Sequence, residues 1–310
     1  MKKIIFTFGL LVIIIGALYL AVNYRRAPQE SWGKLTVVTS IFPLYDFAKT
    51  IGGDKVEVSL LLPPGVEAHS FEPKPSDIAN INTADIFVYA GQFMEPWAAD
   101  ITQGTTNKSL KVVDASAGII LIPGVFHDAD KPAGSEDPHI WLDFDNDKQI
   151  TQTITAAFIA QDPVNAVYYQ ARVAAYQESL MALDLQYQTA LTNCVSREII
   201  YGGHYAFGYL AKRYNLKYSA AQGVSPDSEP TAQDLVNLVG QIKKDNIKYV
   251  FYEELTTPKI AETIAQETNT QLLLLNAAHN VSKDDLVTGK TFLQIMEANL
   301  KNLKIGLQCN

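Results

Sequence analysis

Histidine is scarce in this chain, with five in 310 residues, and imidazole is the side chain that most often ligates a metal ion. Four of the five sit in marked contexts. His69 lies in Leu-Leu-Pro-Pro-Gly-Val-Glu-Ala-His-Ser-Phe-Glu-Pro, a proline-rich loop between the apolar run Val56 to Leu62 and a helix expected near Pro75. His139 lies in Glu-Asp-Pro-His-Ile-Trp-Leu-Asp, and His279 in Leu-Leu-Leu-Leu-Asn-Ala-Ala-His-Asn, directly after a buried-looking strand. His204 follows Arg-Glu-Ile-Ile-Tyr-Gly-Gly and precedes Tyr-Ala-Phe-Gly-Tyr-Leu-Ala: a short β-prone run, a glycine turn, then apolar residues at helical spacing. That pattern places His204 at the start of a helix, where the positive dipole end would hold the imidazole neutral, as a ligand must be. A lone histidine there more often caps a helix than binds metal. Four at strand ends and proline-rich turns change the balance, because such positions put side chains at the mouth of a sheet.

The elements that must carry these residues alternate between strand and helix. Strand candidates in the first part are Leu35 to Ile41, Val56 to Leu62, Ile86 to Tyr89 and Leu110 to Val113, with helices near Tyr45 to Ile51, Ser76 to Ile81 and Pro96 to Ile101. In the last part Glu198 to Tyr201, Tyr218 to Ala220, Tyr249 to Tyr252 and Gln271 to Leu275 read as strands. The helices there are Ala206 to Tyr214, Thr231 to Asp245, Pro258 to Thr268 and Phe292 to Leu307. This is an α/β chain of parallel β-α-β units. Between the two parts strand signals fade; Pro163 interrupts the helical pattern, and Val164 to Thr192 is the better candidate for one long helix. The expected organisation is a segment and tether over 1–33, an N-terminal lobe over 34–145, a linking helical segment over 146–193 and a C-terminal lobe over 194–310. Ile122 to Asp137 is expected to be an exposed loop, and His127 within it a solvated residue.

Lys2 and Lys3 precede an apolar stretch from Ile4 to Val22, closed by Asn-Tyr-Arg-Arg. It is long for a signal core and about right for one membrane crossing, so residues 4–22 are read as an uncleaved membrane anchor, with a cleaved signal peptide as the alternative. The remainder is 47% hydrophobic and 19% charged on the composition of the whole chain, ordinary for a soluble α/β protein. A formal charge of −8 argues against nucleic acid as a partner.

Taken together and in this order, the Pro-Pro-Gly-Val-Glu-Ala-His-Ser-Phe-Glu-Pro loop, the Asp-Pro-His-Ile-Trp-Leu-Asp segment, Gly-His-Tyr-Ala-Phe-Gly-Tyr-Leu and Gly-Val-Ser-Pro-Asp-Ser-Glu-Pro-Thr resemble the zinc and manganese substrate-binding proteins of bacterial ABC importers, the cluster A-I or ZnuA/TroA-like group. The resemblance runs from about Leu35 to Leu307. It implies two lobes, each a mostly parallel sheet flanked by helices, joined by one long rigid backbone helix. It also implies that His69 and His139 are metal ligands from the first lobe and His204 from the second. Two positions compete for the fourth ligand: Asn276, where the family's aspartate usually falls, and His279. An amide oxygen is a poor zinc ligand and a neutral imidazole a good one, so His279 is chosen.

Around these ligands, Glu253 and Glu254 end a strand at the same sheet edge and could orient ligand imidazoles, or instead cap the next helix. Asp143 has the same double reading beside His139. Cys194 and Cys309, an even count in an exported chain, are expected to form a disulfide. Four imidazoles favour Zn2+ over Mn2+, which prefers carboxylate oxygen. The function expected is an extracytoplasmic, monomeric, non-enzymatic solute-binding protein delivering Zn2+ to a permease and its ATPase. The alternatives are a zinc-dependent hydrolase, with Glu67 or Glu254 as base, and a metal-linked adhesin. A catalytic zinc keeps a position open for water, which four histidines would fill.

Overall fold

Short apolar runs bounded by glycine, proline and polar turns become parallel strands when both faces are covered. A computed structural model describes residues 33–125, 135–224, 226, 230–255 and 257–310, with two four-stranded parallel sheets. The first contains β1 (Leu35–Thr39), β2 (Val56–Leu60), β3 (Ile86–Tyr89) and β4 (Lys111–Asp114) in the order β2-β1-β3-β4. The second repeats that order with β5 (Glu198–Tyr201), β6 (Lys217–Ala220), β7 (Tyr249–Tyr252) and β8 (Gln271–Leu274), as β6-β5-β7-β8. The helices of the first lobe are α1 (Phe42–Gly52), α2 (Pro75–Thr83) and α3 (Ala98–Gly104). The connecting region holds α4 (Phe144–Gln161) and α5 (Ala166–Ala190), and the second lobe α6 (Gly208–Arg213), α7 (Ala232–Asp245), α8 (Lys259–Thr268), α9 (Lys283–Thr288) and α10 (Phe292–Gly306). The expected anchor at 4–22 and His127 lie outside the described residues.

Alternation along the strands sorts side chains into layers. Val37, Ile86 and Val88 enter the main core with α1 and α5, whereas Val38 and Phe87 face the outer layer with Ile81 of α2 and Ala98 of α3. In the second sheet Ile199 and Tyr201 join the same main core, and Ile200 packs with Leu238 and Ile242 of α7 and Ile264 of α8. One apolar core therefore runs through both lobes.

The connecting helices share that core. Asp162, Pro163 and a 3-10 turn over Pro163–Asn165 separate α4 from α5. The Asp162 carboxylate accepts from the Tyr169 hydroxyl at 2.7 Å and from the Asn165 amide at 2.6 Å, which fixes the corner. On α5 the buried side chains are Tyr169, Val173, Tyr176, Leu180, Leu183 and Tyr187, alternating steps of four and three that draw one stripe along the helix. Its 25 residues make a rod about 37 Å long. Near its start Arg172 donates to Thr50 of α1 at 2.8 Å; near its end Tyr187 donates to Met296 of α10 at 2.6 Å. A helix fastened at both ends to different lobes restricts wide hinge motion.

Several expectations change in detail. Helix α1 starts at Phe42 rather than near Tyr45, since Pro43 suits a first helical turn. Helix α9 has no apolar periodicity to announce it, and Ser282 caps it by accepting from the Asp285 amide at 3.1 Å. The supposed exposed loop Ile122 to Asp137 pairs its ends, Pro123 with Glu136, and buries Asp137 completely.

Asp46 of α1 accepts the amide of Phe292, the first residue of α10, at 3.0 Å. Burial pushes its carboxyl from 3.8 up to about 6, against the opposing pull of the Phe292 amide and Lys49. The folded value lies above the unfolded one, so this group's contribution to stability falls as pH rises from 3.8 to 6, by on the order of 2–3 kcal/mol. Asp46→Asn keeps an acceptor and cannot ionise. Relative to the wild type it should gain stability progressively between about pH 4 and 6 and level off above, as measured by urea unfolding across that range; parallel curves would contradict the assignment.

Cys194 and Cys309 are bonded across a separation of 115 residues, tying the start of the second lobe to the chain end. Closing so long a loop is worth about 4–5 kcal/mol in the chain-entropy account. The Cys194→Ser, Cys309→Ser double variant should lose about 2–5 kcal/mol in denaturant unfolding, with the fold retained by circular dichroism. An unchanged denaturation midpoint would remove the crosslink from the account.

Candidate metal centre

In open parallel sheets ligand sites form beyond the carboxyl ends of the strands, where connections diverge to either side. His204 follows β5 and Glu253 follows β7, the two central neighbours of the second sheet, and His279 follows β8. His69 lies in the loop after β2, and His139 in the segment leading to α4.

The structure brings all four predicted histidines to one place. The Nε2 atoms of His69 and His139 are 3.1 Å apart, and those of His139 and His204 are 3.2 Å apart. A tetrahedral zinc with arms of 2.0–2.1 Å has ligand–ligand edges of about 3.3–3.4 Å, so the spacing suits such an ion. The His279 ring is somewhat farther out, its centroid 5.6 Å from that of His204 and 6.2 Å from that of His69. Its ligating atoms fall within 4.8 Å of carboxylate oxygens of Glu67 and Glu253, a second donor triad beside the three-histidine one. His139 and His204 are fully buried.

Carboxylates orient the buried rings. Asp137 Oδ1 lies 2.8 Å from His139 Nδ1 and also accepts the His139 amide at 3.0 Å. Glu253 Oε1 lies 2.6 Å from His204 Nδ1. Asp137 is hydrogen-bonded to His139 Nδ1 and Glu253 closes on His204 Nδ1 as an ion-pair contact, so the Nε2 atoms of the two rings are left turned toward each other, where one cation can take both. Burial, reinforced by neighbouring imidazoles, keeps His139 well below its ordinary value and therefore neutral. Burial also pushes Asp137 up to about 8. A dication at Nε2 would draw the shared proton onto Nδ1 and the charge onto Asp137.

His204 responds differently. Burial acts to lower its value, but the adjacent Glu253 charge and hydrogen bond outweigh it and the net shift is upward; Glu253 correspondingly stays ionised. Glu254 receives the Ala277 amide at 3.0–3.1 Å and stands 3.8 Å from His279 Nδ1; burial, aided by Glu253, pushes it up to about 8. His279 is lowered by burial, with Glu67 opposing.

Local backbone explains the close approach. At Gly203 a Cβ would lie 2.6 Å from Glu253 Oε2, and at Gly208 it would lie 2.6 Å from Asp137 Oδ2, so a side chain at either position would crowd the carboxylate beside the imidazole.

Two sequence expectations are corrected. His204 does not start a helix: the Tyr205 amide is bonded to Gly223 O and the Ala206 amide to the Tyr218 hydroxyl, so α6 begins only at Gly208. No helix dipole therefore keeps it neutral; the Glu253 carboxylate beside it shifts its value upward instead. Asp143 does not touch His139: it caps α4 by accepting from the Asp145 amide at 2.8 Å and pairs with Arg213 at 2.7 Å. The carboxylate on His139 is Asp137, unselected although it stands two residues upstream in the quoted Glu-Asp-Pro-His. Asn276, the rival for the fourth corner, spends its Oδ1 on the Ala278 amide at 2.7 Å, shaping the turn in which Ala278 has φ of 61°.

The Glu253–His204 pair gives a direct test in metal-free protein. Its folded imidazole value lies above 6.5, so the pair stabilises the fold below pH 6.5 and loses that contribution as pH rises through the folded value. In Glu253→Gln the strongest upward pull is removed, leaving burial opposed only by the Glu67 and Glu254 charges, and the His204 midpoint followed by NMR should fall. An unmoved midpoint would show that Glu253 does not govern this imidazole.

Comparison with known proteins bears on what this geometry serves. Residues 37–306 match the family described as zinc-uptake complex component A, periplasmic. The chain is 38% identical over 290 residues to the high-affinity zinc uptake system protein ZnuA of Bacillus subtilis, covering 91% of each. It is 34% identical over 311 residues to the zinc-binding lipoprotein AdcA of Streptococcus pneumoniae, covering 98% of this chain but 61% of that one. The Zn(II)-bound ZnuA-like domain of S. pneumoniae AdcA superposes with a TM-score of 0.77 at 33% identity, over 89% of this chain and 99% of that domain. With nearly its whole described length matched, the chain belongs to the zinc-uptake complex component A family.

Proposed function

We propose that the chain is an extracytoplasmic solute-binding protein that captures Zn2+ between its two lobes, with boundaries near 34–145 and 194–310, and delivers it to an ABC importer made of a permease and its ATPase. The observation that carries this reading is the convergence of imidazole Nε2 atoms at 3.1–3.2 Å with carboxylates on the far nitrogens. His69, His139 and His204 are the inner ligands, and His279 supplies the fourth corner after a small inward movement of its loop. Imidazole donors favour zinc over manganese, and the zinc-uptake names of the relatives agree. Membrane attachment through residues 4–22 completes the proposal.

The hydrolase alternative fits less well. Glu254 is buried, bonded to Ala277 and shifted toward its neutral form, and Glu67 accepts the His69 amide at 3.0 Å. A closed four-ligand shell also leaves no position for an activated water. Relatives and structural neighbours are described by metal binding, uptake and adhesion rather than by a reaction.

Zinc titration calorimetry on variants tests the ligand set. His279→Ala should weaken zinc binding by about 10–100-fold and shrink the metal-dependent rise in melting temperature, since ligand binding to the folded state stabilises it by mass action. His279→Glu should retain most of the affinity. Asn276→Ala should lower stability by loss of its turn bond while binding zinc more tightly than His279→Ala does. If His279→Ala binds like the wild type, the fourth corner lies elsewhere.

A further inference from the structure

The donor triad of Glu67, Glu253 and His279 is not needed to explain the three-histidine position, yet its ligating atoms lie within 4.8 Å of one another. The two triads differ in chemistry and in access. The inner one is all imidazole, with His139 and His204 fully buried. The outer one has two carboxylates and one imidazole, and its Glu67 side chain remains 26% exposed while those of His279 and Glu253 are 4% and 6% exposed. Glu67 Oε1 accepts the His69 amide at 3.0 Å, so the loop that carries an inner ligand also aims this carboxylate. Its Oε2 stands 4.0 Å from His279 Nε2, too long for a hydrogen bond. Two zinc–ligand arms of about 2.0–2.2 Å laid end to end span that gap.

We propose that Glu67, Glu253 and His279 form an outer cation position that first holds the divalent cargo before it passes to the three histidines. The inference rests on the zinc-receptor reading and adds a route to it. Carboxylate oxygen tolerates a partly hydrated ion better than a buried imidazole cage does, so capture at Glu67 precedes full dehydration. His279 belongs to both positions: the ion exchanges Glu67 and Glu253 for the inner imidazoles while His279 keeps hold of it. The two positions share His279, which offers each of them the same imidazole donor, so they are successive stations of one ion.

Stopped-flow zinc binding, with a fluorescent chelator as competitor for release, tests this on the full chain. A group that stabilises an intermediate on the path speeds passage both ways. Glu67→Gln should therefore slow association by about tenfold and slow dissociation as well, leaving Kd within about threefold of the wild type. Glu67→Asp, which keeps the charge but withdraws it by one methylene, should fall between. Glu72→Gln removes the same charge from an exposed site on the same loop and should leave association within about twofold, separating ligation from simple steering. Weaker Kd at an unchanged association rate would make Glu67 a resident ligand and overturn the outer position. Equal slowing by Glu72→Gln, or wild-type rates in both Glu67 variants, would also overturn it. A wild-type chain that binds no zinc would defeat the receptor reading itself.

Discussion

Imidazole Nε2 atoms held beside one another are the constraint on which the rest of this structure turns. His69, His139 and His204 reach the same point from three loops of two different sheets, with Nε2 separations of 3.1–3.2 Å. In a buried, low-dielectric setting a dication within reach of these nitrogens gains strongly from coordination. Asp137 and Glu253 make the arrangement possible by standing against Nδ1 of two rings, which leaves Nε2 of each free to point at the common centre. Charge follows the same logic, since ionised carboxylates behind the rings offset the charge of the ion in front.

Such a site requires lobes that do not drift. The continuous apolar core, the α5 rod and the crosslobe bonds supply this. Asn280, next to His279, donates to Pro63 and Val66 carbonyls at 2.8 and 2.7 Å, so the His279 loop is clasped to the loop carrying His69. Trp141, two residues after His139, donates to Ala277 O at 2.7 Å. Arg213 of α6 pairs with Asp143, Asp145 and Asp184 at 2.6–2.8 Å, pinning the second lobe to α4 and α5. Exposed pairs contribute little singly, but this network is anchored by a partly buried arginine with four bonds to carboxylates.

How much could be read in advance differed by feature. The strands were legible because parallel strands buried on both faces are continuous apolar runs: Ile86–Tyr89, Glu198–Tyr201 and Tyr249–Tyr252 were expected with those bounds. The long helix was legible from the Tyr and Leu stripe after Pro163. Helix starts were less so, because they depend on where backbone amides find partners. His204 looked like a helix start, but the amides that follow it bond to β6 and to Gly223, which lie far off in sequence or across a turn.

Residue type and local order determined that histidines at strand ends would gather at one sheet edge, since strand polarity sends every carboxyl end the same way. They determined too that two cysteines were available to each other. Tertiary structure alone decided which carboxylate serves which ring. Asp137 stands just before His139 and Asp143 just after it, yet Asp137 meets Nδ1 while Arg213, arriving from the other lobe, takes Asp143. It also decided that His279 stands with Glu67 and Glu253, a neighbourhood assembled from three loops with no sequence signature of its own. Hydrogen bonds within a segment can be read from spacing, whereas those between segments exist only once the sheets have packed.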